Sequence, residues 1–456
     1  MKKLLLFLLV AAALVLVGLF VYAKLPTPTR PISADGSVAQ AALIERGRYV
    51  ATASDCVACH SAPGGAAFAG GLPIASPIGT IYSTNITPDR RTGIGSYSLD
   101  DFDRAVRHGI TPEGSTLYPA MPYPSYVRLT DADIEAMYTY FMHGVTAHET
   151  QNRDVGIRWP LSMRWPLAIW RKQFGPDPDS AGQMPVAYSD EEIARGAYLV
   201  QGPGHCGSCH TPRALTLQEK AMDESGADYL AGGQIIDGWL AVNLRGNKAD
   251  GLGNWSRQEI IDLLKTGRSE RHAVVGTPMA DVVQHSTQHL TDADLGAIAS
   301  YLKTLPASAQ DPSSFAANPQ TASELRAGVN SSRGAEIYVD NCAACHRSDG
   351  EGYPRVFPNL AGNSTVLAND PTTLIHLVLE GSAMPSTVHA PSNLGMPGFA
   401  ERLSDADVAE LGTFLRGSFG NKAADVTATQ VAAVRRDIEK MRTEHAEAAH
   451  DPTEVK

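Results

Sequence analysis

The chain has 456 residues, and its balance of 43% hydrophobic and 19% charged residues excludes both a disordered chain and a multi-pass membrane protein. Its length predicts about three domains. The formal net charge is −11 and no long basic run occurs, so we expect no nucleic-acid partner.

The N-terminal segment, residues 1–30, is predicted to be a membrane anchor or a signal peptide. Lys2 and Lys3 precede an uninterrupted apolar run from Leu4 to Ala23. A helix that spans a bilayer takes about 20 apolar residues, whereas a cleaved signal peptide needs about 7–15. The length favours a retained anchor, although the run ends in a partial match to a cleavage site. With either interpretation Lys2 and Lys3 stay on the cytoplasmic side of the membrane, and the chain after the apolar run is exported.

All six cysteines belong to one pattern, Cys-x-x-Cys-His, which occurs three times. This pattern is the signature of covalent haem attachment, in which two thiols bind the porphyrin and the following His binds the iron. Disulfides or a zinc site are the alternatives for such cysteines, but three copies without a spare cysteine favour haem. We therefore predict three covalently bound haem c groups, with the thioethers at Cys56, Cys59, Cys206, Cys209, Cys342 and Cys345 and the proximal iron ligands at His60, His210 and His346.

Each haem signature lies within a longer repeat. An Arg-Gly pair precedes each copy, at Arg46-Gly47, Arg195-Gly196 and Arg333-Gly334. A Ser or Thr that can cap a helix, with an Asp three residues later, follows each copy, at Thr130, Thr291 and Ser404. Each repeat thus predicts an N-terminal helix, a haem-binding turn, a loop region and a closing helix.

The predicted fold class is all-α, with three tandem cytochrome c domains. We name them module one (33–175), module two (190–306) and module three (328–420). A polar tail at 421–456 follows them and is predicted to be a solvated helix.

A methionine in the sixth coordination position closes the haem iron and raises its reduction potential, which suits electron transfer. Such a Met is expected between the haem signature and the closing helix. Met121 is the candidate in module one, and Met279 in module two, where Met222 lies farther away in a helix-like stretch. Module three offers Met396 and Met384. Met396 is favoured because its distance from the closing helix resembles that of Met121.

Several weaker features leave alternatives open. Four histidines could compete as sixth ligands: His272, His285, His289 and His389. Pro88 and Pro358 are either turn residues or residues whose backbone carbonyl accepts a hydrogen bond from the proximal imidazole. Three tryptophans either pack an interface, which is favoured, or touch the membrane surface: Trp159, Trp165 and Trp170.

With these motifs, the chain resembles the tri-haem cytochrome c subunit of bacterial membrane-bound dehydrogenases. The similarity extends from Ala42 to Asn421 and is closest in five segments: Ser76–Pro88, Gly114–Tyr123, Trp159–Pro166, Gly202–Arg213 and Met396–Phe399. The last segment matches the family's third axial Met, which strengthens Met396. The N-terminus is longer than the cleaved signal frequent in the family, and the tail matches no family segment.

The resemblance implies a role in electron transfer. In such complexes a separate catalytic subunit, with a flavin, a quinone cofactor or a molybdenum centre, oxidises alcohols, aldehydes or sugar acids in the periplasm. The cytochrome subunit passes the electrons through three haems to ubiquinone in the cytoplasmic membrane. The resemblance therefore implies a location at the periplasmic side of that membrane.

Two other functions remain open. One is a haem enzyme such as a peroxidase, which needs an open sixth position on one iron. The other is the cytochrome component of a terminal oxidase or another respiratory complex. The sequence contains no Gly-rich dinucleotide fingerprint after a strand and no evident nucleophile–base pair, so no catalytic residues are predicted in this chain.

Overall fold

The computed structural model describes residues 1–272, 274–276, 278–308, 314–329 and 331–449. The fold is mostly helical, with 44% helix and 8% strand, in agreement with the predicted all-α class. The chain divides into two compact units. The first comprises residues 1–186 and 202–205, and the second comprises residues 187–201 and 206–456.

The first unit contains the N-terminal helix and module one. Its helices are α1 (Lys2–Lys24), α2 (Gln40–Ala53), α3 (Cys56–Cys59), α4 (Leu99–His108), α5 (Tyr123–Tyr126), α6 (Asp131–His143) and α7 (Trp165–Phe174). Its strands are β1 (Pro73–Ser76), β2 (Gly79–Tyr82) and β3 (Gly156–Ile157), which form an antiparallel sheet in that order.

The second unit contains modules two and three and the tail. Its helices are α8 (Glu191–Gln201), α9 (Gly207–His210), α10 (Arg257–Thr266), α11 (Met279–His285), α12 (Asp292–Thr304), α13 (Gln320–Ala327), α14 (Arg333–Asn341), α15 (Ala343–His346), α16 (Ser364–Leu367), α17 (Thr372–Glu380), α18 (Asp405–Gly417) and α19 (Ala428–Ala449). Its strands pair as short antiparallel ladders: β4 (Ile235–Ile236) with β5 (Trp239–Leu240), β6 (Ser314–Phe315) with β9 (Asn421–Lys422), and β7 (Gly381–Ala383) with β8 (Gly395–Pro397).

A glycine lies at the helix crossing of every module. The pairs α2 and α6, α8 and α12, and α14 and α18 pack against each other. A Cβ atom on Gly47 would overlap with the carbonyl oxygen of Ala136, and one on Gly196 would overlap with that of Ala297. The repeated glycine is therefore required for the close approach of the two helices.

The arginine before each glycine contacts the aspartate of the closing-helix motif. Arg46 Nε donates to Asp133 and Arg195 Nε to Asp294, each at 2.8 Å. In module three Arg333 makes the same pair at 2.9 Å with Asp407. The backbone N–H of each of these aspartates donates to the predicted N-cap hydroxyl. One aspartate thus links the start of the closing helix to the N-terminal helix.

Helix α1 is long and apolar enough to cross a membrane, a test of length and composition that signal sequences also pass. It has a mean hydropathy of 3.2 in its most apolar window, and Ala23 is its one buried residue. Helix α7 packs against it: the Phe20 and Trp165 rings lie 5.8 Å apart, and Lys172 Nζ donates to the carbonyl oxygens of Tyr22 and Leu25, both at 2.7 Å.

The tryptophans have different surroundings. Trp165 packs on α1, and Trp170 contacts Phe174 of the same helix with ring centroids 5.9 Å apart, so the interface interpretation of these two residues stays a prediction. Trp159 is 79% exposed, so that interpretation was wrong for this residue.

The segment after α1 is bound to module one through Asp131. The carboxylate of Asp131 accepts hydrogen bonds from Arg30 at 2.6 and 2.9 Å and from the Ser33 amide at 3.1 Å. It also accepts one at 2.8 Å from Arg107, which is fully buried. The chain therefore continues from α1 into module one through well-ordered polar contacts.

The tail forms the long helix α19, but the prediction that it is solvated was wrong for one face. Val431, Val434 and Ile438 are buried in the core of module three. Arg435 Nε donates to Asp405 at 2.8 Å, at the start of α18. The helix is therefore a structural part of module three. Residues 450–456 of the predicted tail lie outside the described residues.

Candidate haem centres

Each haem signature folds as a single helical turn: α3 in module one, α9 in module two and α15 in module three. All six cysteines are free thiols and none forms a disulfide. Burial raises the pKa of Cys56, and raises those of Cys206 and Cys342 to about 12. Reactive Cys-x-x-Cys motifs instead have a lowered thiol pKa. The thiols therefore differ from those of reactive dithiol motifs.

The proximal histidines share one hydrogen-bond arrangement. His60 Nδ1 lies 2.7 Å from the carbonyl oxygen of Thr84, and His210 Nδ1 lies 2.7 Å from that of Val242. His346 Nδ1 lies 2.9 Å from that of Pro358. Because a carbonyl oxygen can only accept, Nδ1 carries the proton and Nε2 keeps its lone pair for a metal. Burial lowers the pKa of each of these histidines and so favours the neutral, ligating form.

The carbonyl partners were only partly predicted. Pro358 has the expected role in module three. Pro88 does not have it in module one, where the carbonyl belongs to Thr84, and Val242 was not anticipated. The partner follows its histidine by 24, 32 and 12 residues in the three modules. The spacing from the histidine varies, but the carbonyl residue is followed in every module by Asn and then Ile or Leu: Asn85-Ile86, Asn243-Leu244 and Asn359-Leu360.

Met121 lies in a turn immediately before α5. Its N–H donates to the carbonyl oxygen of Tyr118 at 3.1 Å, and its own carbonyl accepts from Tyr123 at 2.8 Å. Met121 is half-buried, and Tyr118 and Tyr123, which precede and follow it in the sequence, are buried. Neither tyrosine hydroxyl has a hydrogen-bond partner within the described ranges. Two such hydroxyl groups are suited to a polar group of a cofactor.

Met279 is the first residue of α11 and packs beside Val275, Ala280 and Val283. Met222 lies in a region of turns, so the helix-like interpretation of its surroundings was wrong.

Two of the competing histidines already have protein partners. The His272 ring stacks on Trp255 at 4.9 Å, with Nε2 3.5 Å from Glu259. His289 Nε2 lies 3.2 Å from the carbonyl oxygen of Gln284. These contacts favour Met279 over these two histidines.

The two candidate methionines of module three lie on one hairpin. Met396 is in β8 opposite Ser382 of β7, and its side chain packs against the core of module three. The Met384 N–H donates to the carbonyl oxygen of Leu394 at 3.0 Å, where the hairpin opens. The core contact favours Met396.

In each module, the signature supplies two thiols one turn apart and a neutral imidazole, and a Met is predicted as the sixth ligand. This set fits a haem c with His and Met ligands. The described residues contain no cluster of three or more His, Cys, Asp or Glu side chains that could hold a metal ion by themselves.

The comparisons with known proteins agree with this donor set. The cytochrome c family profile matches residues 44–144, 193–306 and 331–418. The chain is 54% identical over 400 residues to the gluconate 2-dehydrogenase cytochrome c subunit of Pantoea cypripedii, covering 87% of this chain and 90% of that protein. It is 51% identical over 406 residues to the cytochrome c subunit of the quinone alcohol dehydrogenase of Gluconobacter oxydans (strain 621H), covering 89% and 83%.

A third relative is the fructose dehydrogenase cytochrome subunit of Gluconobacter japonicus, at 38% identity over 434 residues that cover 90% of this chain and 85% of that protein. The profile matches include all three haem signatures, and each relative aligns with most of this chain and most of its own length. The chain therefore belongs to the cytochrome c family, among the electron-transferring cytochrome c subunits of dehydrogenase complexes.

Proposed function

We propose that this chain carries electrons through three covalently bound c-type haems, from a catalytic dehydrogenase subunit to ubiquinone in the membrane. The observation that carries the proposal is the threefold arrangement of two thiols and a His whose Nδ1 donates to a carbonyl. When bound, each haem supplies an iron that alternates between the ferrous and ferric states. The chain's own residues hold that iron and shield it from solvent.

The three haems belong to three domains at 33–175, 190–306 and 328–420. The mass of the purified chain tests the number directly. Three covalently attached haems are expected, and one or two would contradict the proposal. The cysteine pairs can then be replaced by serine one pair at a time, so that each haem is assigned to its module.

The sixth ligands are Met121, Met279 and Met396. A haem held by a His and a Met would have no open position for a substrate, which favours electron transfer over peroxidase chemistry. Replacing each Met by Ala opens one iron and changes the absorption and magnetic spectra of one haem. Met384→Ala is the matched control for Met396→Ala and leaves the spectra unchanged. A reversed result for these two variants would assign Met384 as the ligand.

The partner is a catalytic subunit that oxidises a CH–OH donor. The relatives' names support this proposal, since they belong to gluconate, alcohol and fructose dehydrogenases. Co-purification from native membranes, with mass spectrometry of the accompanying chains, tests it. A dehydrogenase subunit in equal amount is expected, and its flavin, quinone cofactor or molybdenum identifies the type. Oxidase subunits in its place would favour the terminal-oxidase alternative.

Ubiquinone is the proposed acceptor. Electron delivery can be measured with the purified complex, its substrate and a short-chain ubiquinone, as reduction of the quinone. A complex that reduces ferricyanide with its substrate but never the quinone would contradict this step.

Helix α1 is proposed to remain as a membrane anchor, with the modules on the periplasmic side. Its support is the burial of Ala23 and the two hydrogen bonds from Lys172 to carbonyl oxygens at the end of α1. The intact mass of the mature chain tests this proposal. A mature chain that begins at Lys24 would show that α1 is a cleaved signal. Protease protection in sealed spheroplasts and inside-out vesicles tests the side of the membrane.

A further inference from the structure

Arg268 of module two is a buried cation with incomplete hydrogen bonding. It follows Gly267, the C-cap of α10, and is 7% exposed. Its Nη2 donates to the backbone oxygen of Ser392. Its Nε atom is buried and has no hydrogen-bond partner among the residues that the structure describes.

No carboxylate in the described part of the chain forms an ion pair with Arg268. The nearby Asp262 pairs instead with Arg355, at 3.0 Å. Burial, together with the charge of Arg355, lowers the pKa of Arg268, but an arginine keeps its proton in proteins. A buried charge is strongly unfavourable unless an opposite charge accompanies it. Arg268 therefore needs a neighbouring anion that the described residues of the chain do not supply.

Two other buried arginines, Arg107 and Arg416, differ in this respect. Arg107 pairs with Asp103 and Asp131. Arg416 donates to three backbone carbonyl oxygens and has two aspartates nearby that favour its charge. Arg268 has one carbonyl oxygen and a second arginine as its neighbours.

The position of Arg268 indicates which anion is missing. Arg268 forms a backbone bridge with Val274, and this segment leads directly to Met279, the proposed sixth ligand of the second haem. The residues after the corresponding C-cap glycines are uncharged, Ile110 in module one and Ser382 in module three. A haem carries two propionate carboxylates of its own, so the second haem brings an anion to this segment.

We propose that Arg268 binds a propionate of the second haem and, through its charge, raises the reduction potential of that haem. This inference rests on the proposed function, because it requires a haem at Cys206 and Cys209. The sign follows from charge. Ferric haem carries one more positive charge than ferrous haem, so a neighbouring cation disfavours the ferric state. Removing the cation leaves the propionate uncompensated and stabilises the ferric state.

The test is a spectroelectrochemical titration of the full-length chain carrying all three haems. Arg268→Met removes the charge and keeps an unbranched side chain, whereas Arg268→Lys keeps the charge. Arg257→Met is the matched control, because Arg257 lies on α10, is half exposed and pairs with Glu192. We expect Arg268→Met to shift the redox equilibrium of one haem by about tenfold toward the ferric state. Arg268→Lys should retain most of the wild-type reduction potential of that haem, and Arg257→Met should leave the potentials of all three haems unchanged.

Resonance Raman spectroscopy adds a reading independent of potential and activity. The bending modes of the haem propionates shift when a propionate loses a guanidinium partner. A change in these modes in Arg268→Met, together with the shifted potential of one haem, supports the proposal. If Arg268→Met cannot be loaded with haem, the same modes are measured in Arg268→Lys. A shift of these modes then supports the proposal, and unchanged modes contradict it.

Two results would overturn the inference. One is an Arg268→Met protein in which all three redox equilibria stay within twofold of the wild type. The other is an equal shift of all three haems, which would indicate a general effect of net charge. A wild-type chain with fewer than three haems would instead contradict the proposed function itself, so the two failures are distinguishable by mass before any titration.

Discussion

The helix crossing of module three gives a sharp prediction about stability. A Cβ on Gly334 would overlap with the carbonyl oxygen of Glu410 and would lie 2.6 Å from Phe414 Cβ. Gly334→Ala therefore forces α14 and α18 apart. Overpacking costs about 1–3 kcal/mol, and we expect the upper end here because the new Cβ meets a backbone oxygen that no side-chain rotation can move. The better helix propensity of Ala offsets about 1 kcal/mol of this cost of about 3 kcal/mol, so a net loss of about 2 kcal/mol is expected.

The control for this prediction lies on the partner helix. Gly417 is the last residue of α18, and a Cβ there would meet nothing within 4 Å. Gly417→Ala should be neutral or slightly stabilising. Denaturant unfolding of the haem-loaded chain measures both variants. Because the chain has several units, the transition of module three must be followed by the absorption of its own haem. A Gly334→Ala protein within about 0.5 kcal/mol of the wild type would refute the steric argument.

Three further predictions concern other contacts. Burial opposes ionisation of Asp131, but hydrogen bonds from two arginines and a backbone amide outweigh it and lower its pKa to about 2. Because the pKa of Asp131 is lower in the folded state, Asp131→Asn should reduce the unfolding free energy of module one by roughly 2 kcal/mol at pH 7. The wild type should lose this advantage as the pH falls from about 4 through 2. If the unfolding free energies of the two proteins instead stay parallel across this pH range, the argument is contradicted. Val431→Ala should destabilise module three by about 2 kcal/mol in denaturant unfolding, because Val431 is fully buried, and no loss would mean that α19 is detached in solution. Arg195→Met should destabilise module two by at most about 1 kcal/mol in the same assay, because the Arg195 side chain, which pairs with Asp294, is 42% exposed. A loss above about 2 kcal/mol would show that the pair contributes more than an exposed ion pair does.

The helices around each haem signature could be predicted because their signals are local. A capping hydroxyl with its aspartate starts a helix wherever it occurs, and the thiol spacing of the signature corresponds to one helical turn. Because both signals occur three times, the N-terminal helix, the haem-binding turn and the closing helix of each module could be predicted. The structure adds the reason for the Arg-Gly pair, in which glycine permits the crossing and arginine binds the capping aspartate.

The features that escaped prediction depend on contacts distant in sequence. The carbonyl partner of His60 is Thr84, 24 residues away, and it was missed although the Asn85-Ile86 pair after it recurs as Asn-Leu in the other two modules. The tail helix seemed polar because its charges are numerous, yet the spacing of Val431, Val434 and Ile438 puts one apolar face on module three. Trp159 was expected to pack, but its neighbours in the fold leave it exposed. In each case the outcome is decided by tertiary packing, which overrides composition and local pattern.

Some residues repeat in all three modules and others differ, and this difference bears on how the three proposed haems could have different reduction potentials. The repeated residues build the frame of paired helices, whereas the surroundings of the proposed sixth ligands are dissimilar. Two buried tyrosines flank Met121, a segment opened by the buried cation Arg268 leads to Met279, and a two-stranded hairpin holds Met396. Because hydrogen bonding, burial and nearby charge set the potential of a haem whose ligands are fixed, the loops can tune each module without altering its frame. Exchanging the loop from Arg268 to Met279 for that from Ile110 to Met121 should therefore lower the potential of the second haem and leave the helix pair α8 and α12 intact.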